Sequence, residues 1–322
     1  MSAGERPTAV LAALAANLGI AVAKFVAFLA TRSSAMLAES IHSAADTTNE
    51  ALLLLGQRRA DHAATEQHPF GFGLERYFWS FVVAVMLFTV GAVFSLIQGV
   101  EKLRSPEAIS SPAWAIGVLL VAMVFEGLSL RTAVREARTD KSGSWWQYIR
   151  RTKKPETAVV LLEDTAAEAG LVLALLGVGL SLVTGNSRFD ALGSVGIGLL
   201  LAFVAAVLAI EMRSLLIGEA GSPDDLAVIR AAVEEEPSYE RLIELRTMHL
   251  GPSDLLIAMR VELDAQLTFD EVARRLDDIE DRIRSQLPST GQVFIEADTG
   301  RRVRGSAEEQ RPPDSRAHRP GG

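Results

Sequence analysis

The sequence predicts an α-helical membrane protein with six transmembrane helices followed by a small α+β domain. Hydrophobic residues make up 49% of the 322-residue chain and its mean hydropathy is +0.22, which is too apolar for a typical soluble domain. The apolar excess is concentrated in residues 8–213. After Met212 the chain becomes acidic and mixes helical with strand-like patterns, which indicates a second, water-exposed domain.

Six apolar stretches reach the roughly 20 residues that a helix needs to cross the hydrocarbon of a bilayer. They are residues 8–30, 35–56, 76–100, 112–134, 157–184 and 190–212. We expect all six to be helical, because hydrocarbon leaves the backbone no other hydrogen-bond partners. No small-residue cleavage pattern follows the first stretch, so we expect a transmembrane helix there rather than a signal peptide.

Lys and Arg are concentrated in the segments on the side of the membrane that carries the N-terminus. That side has Arg6, Arg58, Arg59, Arg76, Arg131, Arg135, Arg138, Lys141, Arg150, Arg151, Lys153 and Lys154, and the other side has Arg32, Lys102, Arg104 and Arg188. The positive-inside rule then predicts a multi-pass protein of the cell membrane with both termini in the cytoplasm.

The composition excludes several kinds of chemistry. Cys is absent, which leaves carboxylates and five His as metal ligands and excludes disulfides and thiolate sites. The net charge of −8, with acidic residues accumulating after Gly218, gives no support to a nucleic-acid partner. We expect no prosthetic group and no enzyme, since the α+β region has no recognisable nucleophile, phosphate loop or catalytic pair of carboxylates.

The α+β domain is predicted to follow the order helix, strand, strand, helix, strand, as in a ferredoxin-like fold. Residues 242–250 and 254–264 have strand patterns and are joined by a Gly-Pro-Ser turn, which predicts a hairpin. Residues 293–295 supply a third strand. Ser222 with Pro223 marks one helix start, and a capping box formed by Thr268 and Glu271 marks the other.

These patterns predict three regions in the chain. Residues 1–215 form a six-helix transmembrane domain, and residues 216–300 form a cytoplasmic α+β domain. Residues 301–322 contain almost nothing apolar, so we expect a disordered tail.

His42 and Asp46 lie one helical turn apart in the second predicted span, and Glu39, Asn49 and Glu50 lie near the same stripe. A charged side chain at the centre of a spanning helix costs about 2.5 to 3.5 kcal/mol, so a compensating partner or a function is expected. A lone His would suit an interhelical hydrogen bond. An imidazole with a carboxylate one turn later, near a second acidic pair, favours an ion-binding site.

The second acidic pair, Asp164 and Glu168, lies near the start of the fifth predicted span, with Glu163 rotated by about 100° from Asp164. Carboxylates in one buried turn repel each other. A divalent cation requires ionised carboxylates and a neutral imidazole, and therefore releases protons as it binds. This linkage is a physical basis for the exchange of metal ions against protons.

Other polar residues carry weaker signals. The segment 68–73 is rich in turn residues, so His68 is more typical of a structural turn than of a metal site. Glu126 is isolated and suits a packing hydrogen bond. Trp145, Trp146 and the arginines after them are typical of an interfacial anchor.

Residues 34–50, with the sequence SAMLAESIHSAADTTNE, closely resemble the second helix of the cation diffusion facilitators, which are divalent metal/proton antiporters. Residues 68–80 and 161–167 are similar to the branch that includes the animal mitochondrial zinc transporter. The resemblance covers residues 8–298. It implies a homodimer in which each protomer holds a tetrahedral zinc site between the second and fifth helices, open alternately to either side.

The resemblance carries over three ligands of that site. His42 and Asp46 match the second-helix ligands, and Asp164 matches the acidic ligand of the fifth helix. Val160 stands where many members have His or Asp one turn earlier. The alternatives for the fourth ligand are Glu168, Asn49, Glu163 and water. We expect Glu168, because on the opposite-running helix it approaches the level of His42.

The cytoplasmic metal positions of bacterial members do not carry over. Ile243 and Arg260 stand at two of them, and Glu296 and Asp298 are the oxygen ligands that remain. The related loop site keeps only His68. We therefore expect the C-terminal domain to dimerise without a binuclear zinc cluster.

The resemblance thus implies a secondary transporter that exports Zn²⁺ from the cytoplasm and is driven by inward proton flow. The oxygen-rich ligand set leaves manganese, iron or cobalt open as the transported ion. A rival from another class is a non-transporting membrane scaffold or sensor, for which His42→Ala would not alter metal flux.

Overall fold

A computed structural model describes residues 34–106, 112–141 and 143–298, together with residues 18, 19, 21, 22, 25, 26 and 29. Side chains of the first long helix are described from Ser43 onward. The chain divides into two compact units, with the boundary between Gly218 and Glu219. The predicted tail, residues 301–322, lies outside the described residues, as does most of the first predicted span.

The first unit is built from helices throughout its described part. They are α1 (Ser34–Ala60), α2 (Glu75–Arg104), α3 (Pro112–Asp140), α4 (Trp145–Arg151), α5 (Pro155–Thr184) and α6 (Arg188–Ile217). α2 runs continuously through a π-helical stretch, Leu87–Val93. The second to sixth predicted spans correspond to α1, α2, α3, α5 and α6, and the sequence did not predict α4.

Among the described residues, four helices are long and apolar enough to cross a membrane. They are Glu75–Arg104, Pro112–Thr139, Pro155–Thr184 and Arg188–Ile217. α1 has 27 residues and is about 40 Å long, but it is not in this group. Its acidic and basic residues lower its hydropathy, so the structure supports four of the six predicted spans by composition.

Glycines bring the spanning helices close together. The Cα atoms of Gly177 on α5 and Gly193 on α6 face each other, and a Cβ at Gly177 would lie 3.0 Å from the carbonyl oxygen of Phe189. A Cβ at Gly198 on α6 would lie 2.7 Å from Leu96 Cγ on α2. Such close contacts are typical of helices that associate in lipid, where packing replaces the hydrophobic effect as the driving force.

A buried apolar cluster joins α1, α2, α5 and α6. Its members are Leu53, Val83, Ala84, Val159, Ala166, Val204 and Leu208. Val159 and Ala166 lie on α5 on either side of Glu163 and Asp164 in the chain. This packing fixes the depth and rotation at which α5 presents its acidic residues.

α4 is a short helix between two spanning helices. Ser144 caps its start, because its side chain accepts a hydrogen bond from the Gln147 backbone while Gln147 Oε1 accepts one from the Ser144 backbone. Tyr148 and Ile149 are buried in a cluster with Ala137 of α3. Seven residues are too few for a clear periodic pattern, which explains why the sequence did not predict this helix.

The second unit has the predicted αββαβ order. Its elements are α7 (Pro223–Glu234), β1 (Tyr239–Gly251), β2 (Asp254–Leu263), α8 (Phe269–Gln286) and β3 (Thr290–Asp298). β2 is the central strand of the sheet, antiparallel to β1 and parallel to β3. The predicted hairpin is therefore confirmed.

Alternation along β2 builds the core of this unit. Leu255, Ile257, Val261 and other alternate residues of β2 are buried against Ile279 and Ile283 of α8. Both predicted helix starts are confirmed, with capping boxes at Ser222 and Thr268. β1 begins three residues earlier than predicted and β3 extends beyond residues 293–295, because polar side chains on their exposed faces obscure the pattern.

Candidate metal site

The polar face of α1 enters the helix bundle at Asp46 and Asn49. Asp46 is half-buried and Asn49 is 4% exposed. The backbone places His42 one turn before Asp46. The side chain of His42 lies outside the described residues, so the structure describes the oxygen ligands of the predicted site and not its imidazole.

Asn49 connects α1 to the acidic segment of α5. Its Nδ2 donates a hydrogen bond to Glu163 Oε1 at 2.6 Å, between residues 114 positions apart in the sequence. This bond pairs the amide nitrogen with a carboxylate inside the helix bundle, whereas the buried Asn49 Oδ1 has no hydrogen-bond partner among the described residues. This bond brings the predicted second and fifth spans together at their polar faces.

Asp164 has a hydrogen-bond partner on a different helix from that of Glu163. Ser129 Oγ on α3 donates a hydrogen bond to Asp164 Oδ2 at 2.8 Å. Glu163 therefore contacts α1 while Asp164 contacts α3, as expected for adjacent residues about 100° apart around a helix. Both carboxylates have neutral hydrogen-bond donors.

Asp46 links the two carboxylates electrostatically. Its charge acts on both Glu163 and Asp164, and the charge of Glu126 on α3 acts on Glu163. Acidic residues from three helices thus interact through their charges, and Glu126 is one of them although it looks isolated in the sequence.

Glu168 lies one turn after Asp164 on α5. Its Oε2 atom is buried and has no hydrogen-bond donor within the described part of the chain. A buried carboxylate oxygen without a hydrogen-bond partner is energetically unfavourable.

No three His, Asp or Glu side chains among those the structure describes form a group that could hold a metal ion. Asp46, Asp164 and Glu168 are all described and do not come together in such a group, and the side chain of His42 lies outside the described residues. The assignment of His42, Asp46, Asp164 and Glu168 as ligands therefore stays a prediction.

His68 lies away from the helices, in the loop before α2. It is exposed, and its ring stacks on Phe72 with centroids 4.6 Å apart. Its backbone exchanges hydrogen bonds with Thr65, and its carbonyl oxygen also accepts one from Gly71, which has a positive φ of 81°. These contacts are those of a structural turn.

Comparison with known proteins identifies both units. A model of the cation efflux transmembrane domain matches residues 10–217, and a model of the cation efflux protein cytoplasmic domain matches residues 222–299. The chain belongs to the cation efflux family. The family resemblance drawn from residues 34–50 is thus confirmed.

The relatives of this cation efflux protein include the mitochondrial proton-coupled zinc antiporter SLC30A9. The human protein is 33% identical over 268 residues, which cover 80% of this chain and 47% of the relative. The Xenopus laevis protein is 35% identical over 257 residues, which cover 79% and 46%. This chain spans about half the length of these relatives and belongs to their branch of the family.

A bacterial relative matches over nearly its whole length. The cation-efflux pump FieF of Serratia proteamaculans is 26% identical over 294 residues, which cover 90% of this chain and 92% of the relative. These relatives are named as antiporters and an efflux pump, which fits the expectation of a non-enzyme.

Arg260 changes the chemistry of the second unit of this cation efflux protein. Its guanidinium lies 3.1 Å from a Glu296 carboxylate oxygen and 3.9 Å from one of Asp298, on the neighbouring strand β3. The two acids predicted to remain as oxygen ligands are therefore ion-paired.

Two features of the first unit escape sequence reasoning. Ser129 positions Asp164, yet a serine in an apolar helix gives no periodic signal. Arg76 at the start of α2 forms a two-pronged ion pair with Glu156 at the start of α5, with Arg76 Nη2 2.9 Å from Glu156 Oε2. A charged residue such as Arg76 at the start of an apolar helix indicates that the helix end is held by a polar contact. The sequence does not show that the partner is Glu156, 80 residues away.

Proposed function

We propose that this protein exchanges Zn²⁺ for protons across a membrane, exporting zinc from the cytoplasm as protons flow inward. The observation that carries the proposal is the cluster of Asp46, Glu163 and Asp164 between α1, α3 and α5, inside the transmembrane unit. Membership in the cation efflux family supports transport of a cation. Relatives whose names specify proton-coupled zinc transport support the choice of ions.

The proposed ligands are His42, Asp46 and Asp164, with Glu168 as the fourth. Glu168 Oε2 is buried without a hydrogen-bond partner among the described residues, which supports its inclusion because a bound cation would neutralise it. Val160, one turn before Asp164, offers no ligand atom and is 36% exposed. Glu163 is the rival fourth ligand, since Asn49 already draws it toward α1.

Proton coupling follows from the chemistry of these ligands. Zn²⁺ binds ionised carboxylates and a neutral imidazole, so each ligand that arrives protonated must release its proton when the metal binds. When the site opens to the other side, protonation of Asp46 and Asp164 weakens their hold on the metal. Ser129 orients Asp164, and Asn49 orients the neighbouring Glu163, in both cases without supplying a competing positive charge.

The assembly that we propose is a homodimer in a lipid bilayer. Sequences of the second unit match the cytoplasmic domain of cation efflux proteins. The bias of Lys and Arg toward one side supports an orientation with both termini in the cytoplasm. We propose residues 1–215 as the transport domain and residues 216–300 as the dimerisation domain.

The test is zinc uptake into proteoliposomes that contain a zinc-sensitive dye and are held under a pH gradient. Asp46→Asn and Asp164→Asn remove one carboxylate charge each, and we expect flux to fall to the level of empty liposomes. Asp61→Asn makes the same change at an exposed residue just after α1 and serves as the control. Unchanged flux in both cluster variants would overturn the assignment.

A second pair of variants decides the fourth ligand. Glu168→Gln and Glu163→Gln are identical substitutions five residues apart on α5. If Glu168 is the ligand, its variant loses zinc affinity more severely than the Glu163 variant does. The reverse order would assign the position to Glu163.

The choice of metal is tested in the same vesicles. The proposed metal ligands whose side chains the structure describes, Asp46, Asp164 and Glu168, all offer oxygen atoms. Oxygen ligands also suit Mn²⁺ and Fe²⁺. We expect Zn²⁺ to outcompete Mn²⁺, Fe²⁺ and Co²⁺ because His42 supplies nitrogen. Faster Mn²⁺ transport that persists in His42→Ala would instead identify an oxygen-only site.

A further inference from the structure

The segment joining α3 to α5 is the most basic part of an acidic chain. Residues 131–154 contain eight Lys or Arg and two acidic residues, whereas the whole chain has a net charge of −8. This segment includes the end of α3, all of α4 and the residues before α5. It therefore lies where two spanning helices leave the hydrocarbon.

α4 is held in a fixed orientation at this position. Tyr148 and Ile149 are buried in a cluster with Ala133 and Ala137 of α3 and Leu161 of α5. On another side, the Arg150 Nε atom lies 3.3 Å from a Glu211 carboxylate oxygen on α6. Tyr148, Ile149 and Arg150 therefore contact the neighbouring helices, whereas Trp145 and Trp146 remain exposed.

The outer face of α4 combines aromatic rings with positive charge. Trp145 is 37% exposed and Trp146 is 49% exposed. Lys141 Nζ lies 4.9 Å from the centroid of the Trp145 ring, which orients the indole. Exposed arginines extend the positive charge from the last turns of α3 to the last residue of α4: Arg131, Arg135, Arg138 and Arg151.

We propose that α4 and these neighbouring arginines form a binding site for the headgroups of anionic phospholipids. Indole rings favour the level of the headgroups, where an apolar ring meets water. Guanidinium groups bind phosphate oxygens in a two-pronged geometry. The position beside the ends of α3 and α5 puts both kinds of group at a membrane surface, which favours a lipid over a soluble polyanion. The proposal is independent of which ion the protein carries.

The experiment uses the purified full-length protein in detergent, with bound lipids counted by native mass spectrometry. Short-chain phosphatidylglycerol and phosphatidylcholine are the two probes. We expect the wild-type protein to bind phosphatidylglycerol in preference. The combined substitution Arg135→Gln, Arg138→Gln and Arg151→Gln is expected to weaken phosphatidylglycerol binding by roughly tenfold or more while leaving phosphatidylcholine binding unchanged.

Two further variants make the result interpretable. Arg104→Gln with Arg188→Gln removes exposed cations from the ends of α2 and α6 that lie on the opposite predicted side, and should leave the preference intact. Arg135→Lys, Arg138→Lys and Arg151→Lys together keep the charge but not the two-pronged geometry, and should restore part of the phosphatidylglycerol preference, which separates a lipid effect from misfolding. The proposal is overturned if phosphatidylglycerol is not preferred, or if glycerol phosphate displaces it at equal concentration.

Discussion

The buried carboxylates of the two units have different kinds of hydrogen-bond partner, which are charged in the second unit and neutral in the first. In the second unit, Glu236 has a side chain that is 1% exposed, with Arg282 at 2.6 Å and Arg275 at 3.4 Å. In the first unit, Glu163 and Asp164 receive hydrogen bonds from an amide and a hydroxyl. The protein neutralises the charge of Glu236 itself, and so Glu236 is structural. The neutral donors in the membrane unit orient the carboxylates but do not neutralise their charge, as the proposed exchange of a cation for protons requires.

The largest effect on folding is expected at Glu236. Glu236→Gln removes the charge of a buried carboxylate that two partly exposed guanidinium groups bind, and losing hydrogen bonds to a charged group costs about 1.5 to 3 kcal/mol. We expect the amides of β1, β2 and β3 to exchange with solvent much faster in the purified full-length protein. Glu235→Gln, at the exposed neighbouring residue, should leave exchange unchanged. If the amides exchanged equally slowly in the two variants, Glu236 would not have the structural role described above.

The next effect concerns Ser129, which orients Asp164. Groups that hold a metal ligand in place typically contribute 10- to 100-fold to metal affinity or activity, so Ser129→Ala should lower zinc flux by roughly that factor at low zinc. The protein should remain folded, unlike Glu236→Gln. Thr132→Val provides the control, because the Thr132 hydroxyl bonds a carbonyl of its own helix. A similar loss in both variants would mean that hydroxyls on α3 act through helix packing.

A smaller change in stability is expected where α2 and α6 meet. Gly198→Ala forces a Cβ to within 2.9 Å of the Leu96 backbone nitrogen, and overpacking of this kind costs about 1 to 3 kcal/mol. Gly127→Ala introduces the same atom on α3, where nothing lies within 4 Å. The thermal midpoint of the detergent-solubilised protein should fall for Gly198→Ala alone. This pair measures apolar packing in the membrane unit separately from its charges.

The smallest effects are pH dependences in the second unit. Burial raises the pKa of Asp254, so the folded unit binds a proton at this residue more readily than the unfolded chain does. Asp254 therefore lowers the free energy of unfolding progressively as pH rises from the ordinary Asp pKa through the raised value. Asp254→Asn should flatten that decline in a pH series of thermal midpoints, and an unchanged slope would contradict this account.

The pKa of Glu271 is shifted in the opposite direction from that of Asp254. Hydrogen bonds from the backbone and side chain of Thr268 lower the pKa of Glu271. Its stabilisation is present above the ordinary Glu pKa and is lost as pH falls through the lowered value. Glu271→Gln should therefore reduce the acid-side loss in the same pH series, while Asp254→Asn should not.

Local sequence rules explain most of the second unit. The helices at Ser222 and Thr268 begin where their capping boxes predict, since a cap depends on residues only three positions apart. Alternation likewise predicts β2, which is buried on one face along its length. Strand ends are less predictable, because polar residues such as Glu240 are compatible with both strand and loop.

The membrane site was predictable in its residue types but not in its pairings. The sequence marks Asp46, Asp164 and Glu168 because charge is rare in apolar helices. It does not indicate that Asn49 bonds Glu163 or that Ser129 bonds Asp164, since these contacts depend on how three helices rotate against one another. Such long-range geometry is set by packing of the glycines and the apolar cluster, not by local pattern.

The most direct test of the central claim is the number of protons released when zinc binds. Isothermal calorimetry of the purified full-length protein, repeated in buffers of different ionisation enthalpy, gives that number. We predict that zinc binding releases protons and that Asp164→Asn, if it still binds zinc, releases fewer, while Glu235→Gln matches the wild type. Zinc binding without proton release, or with release unchanged in Asp46→Asn and Asp164→Asn, would contradict exchange at this cluster.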